Sequence, residues 1–119
     1  MKTRLEQAGI SPTLSVGEVA RRAGVSVSAL HFYETKGLIS SDRTQGNQRR
    51  YARDVLRRVA FIRVAQRVGI ALTDIAAALA TLPATAAPTR ADWARLSAAW
   101  RADLDERMAL LKKLRDTLD

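Results

Sequence analysis

A chain of 119 residues with 47% hydrophobic content can fold around a core as one compact domain, or as a domain with an appended helix. It has no cysteine and one histidine, which excludes, within this chain, disulfides, thiolate-held metals, protein-bound iron–sulfur clusters and cysteine nucleophiles, and leaves little for an enzyme to work with. Lys+Arg number 20 against 12 Asp+Glu, a net charge of +8, and no apolar run approaches the ~20 residues that span a bilayer, so a cytoplasmic protein with no membrane partner is expected.

Residues 1–13 are polar, contain Gly9 and Pro12, and read as a flexible lead-in. Ser15-Val16-Gly17-Glu18 is a capping box, in which the serine oxygen takes the N3 amide and the glutamate reaches back. It predicts a short helix over Val16–Ala23, with Leu14 and Val19 at staple positions and Gly24 as a left-handed stop. Ser26 caps a second helix from about Val27 to Lys36, closed by Gly37, and Val25 and Leu30 repeat the staple spacing. Two short helices joined at a glycine are either an ordinary helical hairpin or a helix-turn-helix unit. Leu38-Ile39 reads as a strand, Gln45-Gly46-Asn47 as a turn and Gln48–Tyr51 as the return strand, so a wing is expected next.

From about Arg53 to Val68 the period becomes helical, with Val55, Val59, Ile62 and Gln66 on one side and Gly69 at the end. A fourth helix spans about Leu72–Leu82, with Ile75, Leu79 and Leu82 as its stripe and Pro83 as its stop. Residues 83–88 read as a linker. Thr89, with Asp92 at N3, caps a last helix that can reach Leu118, roughly 40 Å away. Its apolar positions are Trp93, Leu96, Trp100, Leu104, Met108, Leu111, Leu114 and Leu118, spaced by threes and fours, with Arg107 near the seam. Such a helix either folds back on its own domain or meets a second copy, and the homodimer is the expectation. The predicted fold class is α-dominated with a small β-hairpin wing. Its parts are a lead-in (1–13), a winged helix-turn-helix DNA-binding domain with two supporting helices (14–82), a linker (83–88) and a long antiparallel coiled-coil dimerisation helix (89–119).

The charge is uneven. Residues 1–70 hold 13 basic and 5 acidic side chains, and residues 71–119 hold seven of each. Arg43, Arg49, Arg50, Arg53, Arg57, Arg58, Arg63 and Arg67 crowd one stretch, opposed there by Asp42 and Asp54. This is either a solvated basic surface or the footprint of an anionic polymer, whose counterions each phosphate contact releases.

Val27, Ser28 and His31 open the second helix, with Ser28, His31 and Thr35 on a face opposite Leu30, and would enter a major groove. His31 can donate or accept at a base edge. Arg22 and Tyr33 are placed at phosphate, though Tyr33 can also be a core tyrosine with a wet hydroxyl. Arg49, Arg50 and Tyr51 suit backbone contacts from the wing, though Arg50 can instead pair with Glu34 internally. Arg53 and Arg57 are placed at the flanking backbone.

These residues carry a resemblance. Ser28-Ala-Leu-His-Phe-Tyr-Glu-Thr-Lys-Gly-Leu-Ile39 and Asn47-Gln-Arg-Arg-Tyr51, followed by Asp54-Val55, resemble the recognition helix, wing and third helix of MerR-type transcription regulators. Ala65-Gln-Arg-Val-Gly-Ile70, Trp93 and Trp100 resemble the redox-responsive members, and the likeness runs from about Leu14 to Asp119. It implies a homodimer on double-stranded promoter DNA in the bacterial cytoplasm, at the nucleoid. Such dimers activate RNA polymerase by bending and untwisting an overlong promoter spacer in response to oxidative signals. In the redox-responsive members a four-cysteine segment holding a [2Fe-2S] cluster follows the long helix. This chain has no cysteine, so the expectation is no cofactor in these residues, and a cluster only if the native protein continues past Asp119 into a Cys-rich segment. Trp93 and Trp100 are then either dimer core or walls for the partner's sensor. The alternative is a constitutive, non-sensing repressor or architectural protein of the same family.

Overall fold

The computed structural model describes residues 13–83 and 86–119. The lead-in expected over residues 1–12, and residues 84–85 of the linker, lie outside the described residues. Thr13, placed at the end of that lead-in, is buried. In chain order the elements are β1 (Leu14–Ser15), α1 (Val16–Ala23), α2 (Val27–Thr35), β2 (Asp42–Arg43), β3 (Arg49–Tyr51), α3 (Val55–Arg67), α4 (Leu72–Leu79) and α5 (Arg90–Leu118). The described part of the chain is thus mostly helical, with a small antiparallel sheet in the order β1-β3-β2. It divides into two compact units at the Ala87–Pro88 junction.

In the first unit, hydrogen bonds fix where each helix starts and stops. Ser15 Oγ accepts from Glu18 N at 3.2 Å and the Glu18 carboxylate accepts from Ser15 N at 2.9 Å, the reciprocal capping box. Gly24, at φ 70°, ends α1 with its N–H on the Ala20 carbonyl. The end of α2 departs from expectation. Gly37 N donates to Glu34 O at 3.0 Å and Leu38 N to Tyr33 O at 2.9 Å, with Gly37 at φ 73°. This is a Schellman motif, whose residue after the glycine is normally apolar and packs back on the helix. Leu38 and Ile39 are therefore buried core residues, not the outer strand of the wing. That strand is β2, and it pairs with β3 through Asp42↔Arg50 and Arg43↔Arg49. The same motif closes α3 at Gly69, with buried Ile70 after it.

β1 was not anticipated. It pairs with β3 through Leu14↔Tyr51 and Ser15↔Arg50, so β3 is the central strand. α1 packs on α2, α3 and β3, and α3 packs on α4. Val19, Leu30, Tyr51, Val59, Ile62 and Ile75 form the fully buried centre. Burying each such side chain contributes about 1.5–3 kcal/mol. α4 ends at Leu79, one turn short of the expected Leu82. Leu82 still reaches the core through a turn in which its N–H donates to Leu79 O at 3.1 Å.

In the second unit, Thr89 and Asp92 form the expected capping box and α5 runs 29 residues. Its buried residues are Trp93 and Leu96, whereas every residue from 101 to 119 is exposed. Among the described residues, no helix is long and apolar enough to cross a membrane.

Candidate nucleic-acid interface

The exposed face of α2 follows from its cap. Ser26 Oγ accepts from Ala29 N at 3.0 Å, which starts the helix at Val27. Turning Leu30 and Tyr33 inward leaves Val27, Ser28, His31 and Thr35 outward, within one 100° sector. Thr35 Oγ1 donates to the His31 carbonyl at 2.8 Å, so its hydroxyl proton is held by the helix itself. The first turn carries no acidic residue, so nothing offsets the partial positive charge of the helix N-terminus.

The wing stands beside this face. Asn47 N donates to Thr44 O at 2.9 Å and Thr44 N to Gln48 O at 2.9 Å, with Asn47 itself at φ 61°. Asn is among the few non-glycine residues that adopt this left-handed geometry readily. Arg43 Nη1 donates to Asn47 O at 3.1 Å and braces the tip.

Side chains alternate along β3, and this decides what each wing residue does. Arg49 and Tyr51 turn toward α2. Arg49 Nε donates to Glu34 Oε2 at 2.9 Å, and its Nη1 lies 3.3 Å from His31 Nε2. Arg50 turns the other way, and its Nε and Nη2 donate to Thr13 Oγ1 at 3.0 Å and Thr13 O at 2.9 Å. The internal partner of Glu34 is thus Arg49 and not Arg50. A one-residue step along a strand exchanges its faces, and that step is the whole difference.

Tyr51, expected at the DNA backbone, is instead fully buried. Desolvation, helped by the negative charge of Glu34, pushes its phenol up to about 12. Burial also works against the Glu34 carboxylate, yet Ser41, Arg49 and the Tyr51 hydroxyl hold it below the ordinary carboxylate range. Neither Glu34 Oε1 nor the Tyr51 hydroxyl makes a hydrogen bond of ordinary geometry. Tyr33, placed at phosphate with a core role as the alternative, takes the core role in this structure: it is buried and its hydroxyl donates to Gln66 Oε1 at 3.1 Å.

Arg22, Arg53 and Arg57 are exposed, Arg22 in the last turn of α1 and the other two around the start of α3. Other arginines of the basic stretch bind protein. Arg58 Nε pairs with Asp54 Oδ2 at 2.8 Å, and Arg63 Nη1 donates to Ala23 O at 2.8 Å, closing the end of α1. Sequence reasoning missed Thr13 and Gln66 as supports of this face, because each partner is distant in the chain and carries no local pattern. It also passed over Phe32, which is exposed with Lys36 Nζ 5.7 Å from its ring centre. The dimer candidates on α5 divide by burial. Trp93 and Leu96 are buried, Trp100 is half-buried, and Leu104, Met108, Leu111, Leu114 and Leu118 are exposed, together with Leu110, which the periodicity had left out.

Comparison with known proteins now bears on this geometry. A family model described as MerR family regulatory protein matches residues 15–51, and one described as MerR, DNA binding matches residues 56–119. A protein of Chromobacterium violaceum named as an HTH-type transcriptional activator SoxR homolog is 55% identical over 107 residues, covering 90% of this chain and 72% of that protein. The mercuric resistance operon regulatory protein of Pseudomonas fluorescens is 42% identical over 64 residues, 53% of this chain and 44% of that protein. Among solved structures, HiNmlR, a MerR family regulator lacking the sensor domain and bound to promoter DNA, is similar in fold at TM-score 0.60. It is 22% identical and is matched over 89% of this chain and 84% of its own.

Proposed function

Because the chain belongs to the MerR family of DNA-binding helix-turn-helix transcription regulators, which are not enzymes, we propose that it acts as a homodimer on a pseudo-palindromic promoter site and activates RNA polymerase by distorting the spacer. The observation that carries this reading is the α2 face. Val27, Ser28 and His31 stand outward on the opening turns, beside a braced wing and near exposed arginines. In a helix-turn-helix the opening turns of the second helix reach base edges, while surrounding cations hold phosphates and set the register. Ser28 and His31 read bases, Val27 offers an apolar contact, and Arg22, Arg53 and Arg57 take phosphates.

Two such faces joined by their long helices grip both halves of one site. Their relative orientation then fixes the twist of the DNA between them, at an elastic cost that the contacts offset. The oxidative signal is proposed from the likeness to the SoxR homolog. No residue of this chain is a cysteine, so its residues do not fit a [2Fe-2S] cluster, and no step here runs through one. A cluster belongs to the proposal only as part of a segment beyond Asp119. The place of action is the bacterial cytoplasm, at the nucleoid. The same absence of thiolate favours a second reading, a non-sensing repressor or architectural member of the family.

Selection from a random duplex pool tests the core of this reading. Two inverted half-sites should be enriched, with affinity falling steeply in salt, by about 0.9 log unit per log unit of salt for each phosphate neutralised. Transcription from a promoter with that site in a lengthened spacer should rise on adding the protein. A single unpaired half-site or no enrichment overturns the dimeric reading, and repression at every spacer length favours the second.

A further inference from the structure

Within the DNA-reading role, and resting on it, we propose that Arg49 is a positioning residue that sets the hydrogen-bonding character of His31, rather than a phosphate anchor. A guanidinium carries donors only. The 3.3 Å contact from Arg49 Nη1 is therefore a hydrogen bond only when His31 Nε2 has no proton, which places the ring proton on Nδ1. The guanidinium is not free to swing away, because its Nε is paired with Glu34 Oε2 at 2.9 Å. His31 and Glu34 are three residues apart on α2, and Arg49 comes from the central strand of the sheet. The wing thereby reaches across to the reading helix and selects one tautomer of its imidazole.

The consequence lies in base choice. An Nδ1–H group donates to purine N7, guanine O6 or thymine O4. It cannot satisfy cytosine, whose major-groove edge offers only the N4 amino donor. Without Arg49 the ring is free to take the other tautomer, Nδ1 then accepts, and cytosine becomes compatible. Arg49 thus excludes one base at the position His31 reads without touching a base.

The chain has a single histidine, so its ring nitrogens can be followed by NMR in the full chain. At mildly alkaline pH the nitrogen shifts should show a protonated Nδ1 and a bare Nε2, moving toward protonated Nε2 in Arg49→Ala. A wild-type ring protonated at Nε2 overturns the proposal, and this measurement needs no variant to fold. Selection from a random duplex pool supplies the second arm. Wild type should disfavour cytosine about fivefold at one position per half-site, the worth of one hydrogen bond, and His31→Ala should lose that preference. Arg49→Ala should accept cytosine there to within about twofold and leave other positions unchanged. A uniform loss across all sequences in Arg49→Ala, with a salt slope lower by about one, overturns the proposal and returns Arg49 to phosphate. A pool from which wild type enriches nothing removes the DNA reading, and with it the base-selection half, even where the ring is protonated at Nδ1.

Discussion

The buried Tyr51 phenol has a consequence at high pH. Desolvation and the nearby Glu34 charge raise it from 10.0 to about 12, so the folded chain holds this proton more tightly than the unfolded chain does. Stability from this source is fully present below pH 10 and is lost as the pH rises from 10 to about 12. An ultraviolet titration should show one of the two tyrosines ionising near 12, with unfolding by circular dichroism in the same window, and Tyr51→Phe should remove that step. Both tyrosines titrating near 10 in a folded chain would contradict the burial. The sequence around Tyr51 shows why its place was hard to read. Arg49-Arg50-Tyr51 has the composition of a nucleic-acid contact, and the basic and aromatic character was legible. The face each residue takes depends on strand register, and the partners that set it, Leu14 and Ser15, lie far back in the chain.

Among elements, the helices were legible because their signals are local. Ser15 with Glu18, Ser26, and Thr89 with Asp92 all cap where their spacing placed them. Ser15→Ala should lower unfolding stability in urea by about 1 kcal/mol, the usual worth of an N-cap, with little change in the slope of the transition. A variant as stable as wild type would mean that Glu18 alone holds the first turn. The wing was legible only in outline. Leu38-Ile39 has the apolar character of a strand, but apolar residues also follow a glycine helix stop, where they pack back on the helix, and the second role won. β1 left no trace in the pattern, because a two-residue strand with a distant partner has no period to detect.

For the whole molecule, the long helix carries the clearest expectation. Leu104, Met108, Leu111, Leu114 and Leu118 recur on one side of α5 and are all exposed within the chain, and Leu110 widens the strip. An apolar strip of this length left in water is an association surface. Sedimentation should find wild type as a dimer and Leu111→Asp as a monomer, and a dimeric Leu111→Asp would place the seam elsewhere. The basic half of the chain was equally legible as charge, though not as structure. Arg43, Arg49, Arg50, Arg58 and Arg63 each hold a protein atom. An arginine that is loose in solution gives up about 1.5–2 kcal/mol of rotamer entropy when it is ordered. These five have already been ordered by folding, and their positive charge is undiminished. Docking on a polyanion therefore loses less entropy than the same charges on a disordered basic tail would, and the surface meets its partner as a rigid body.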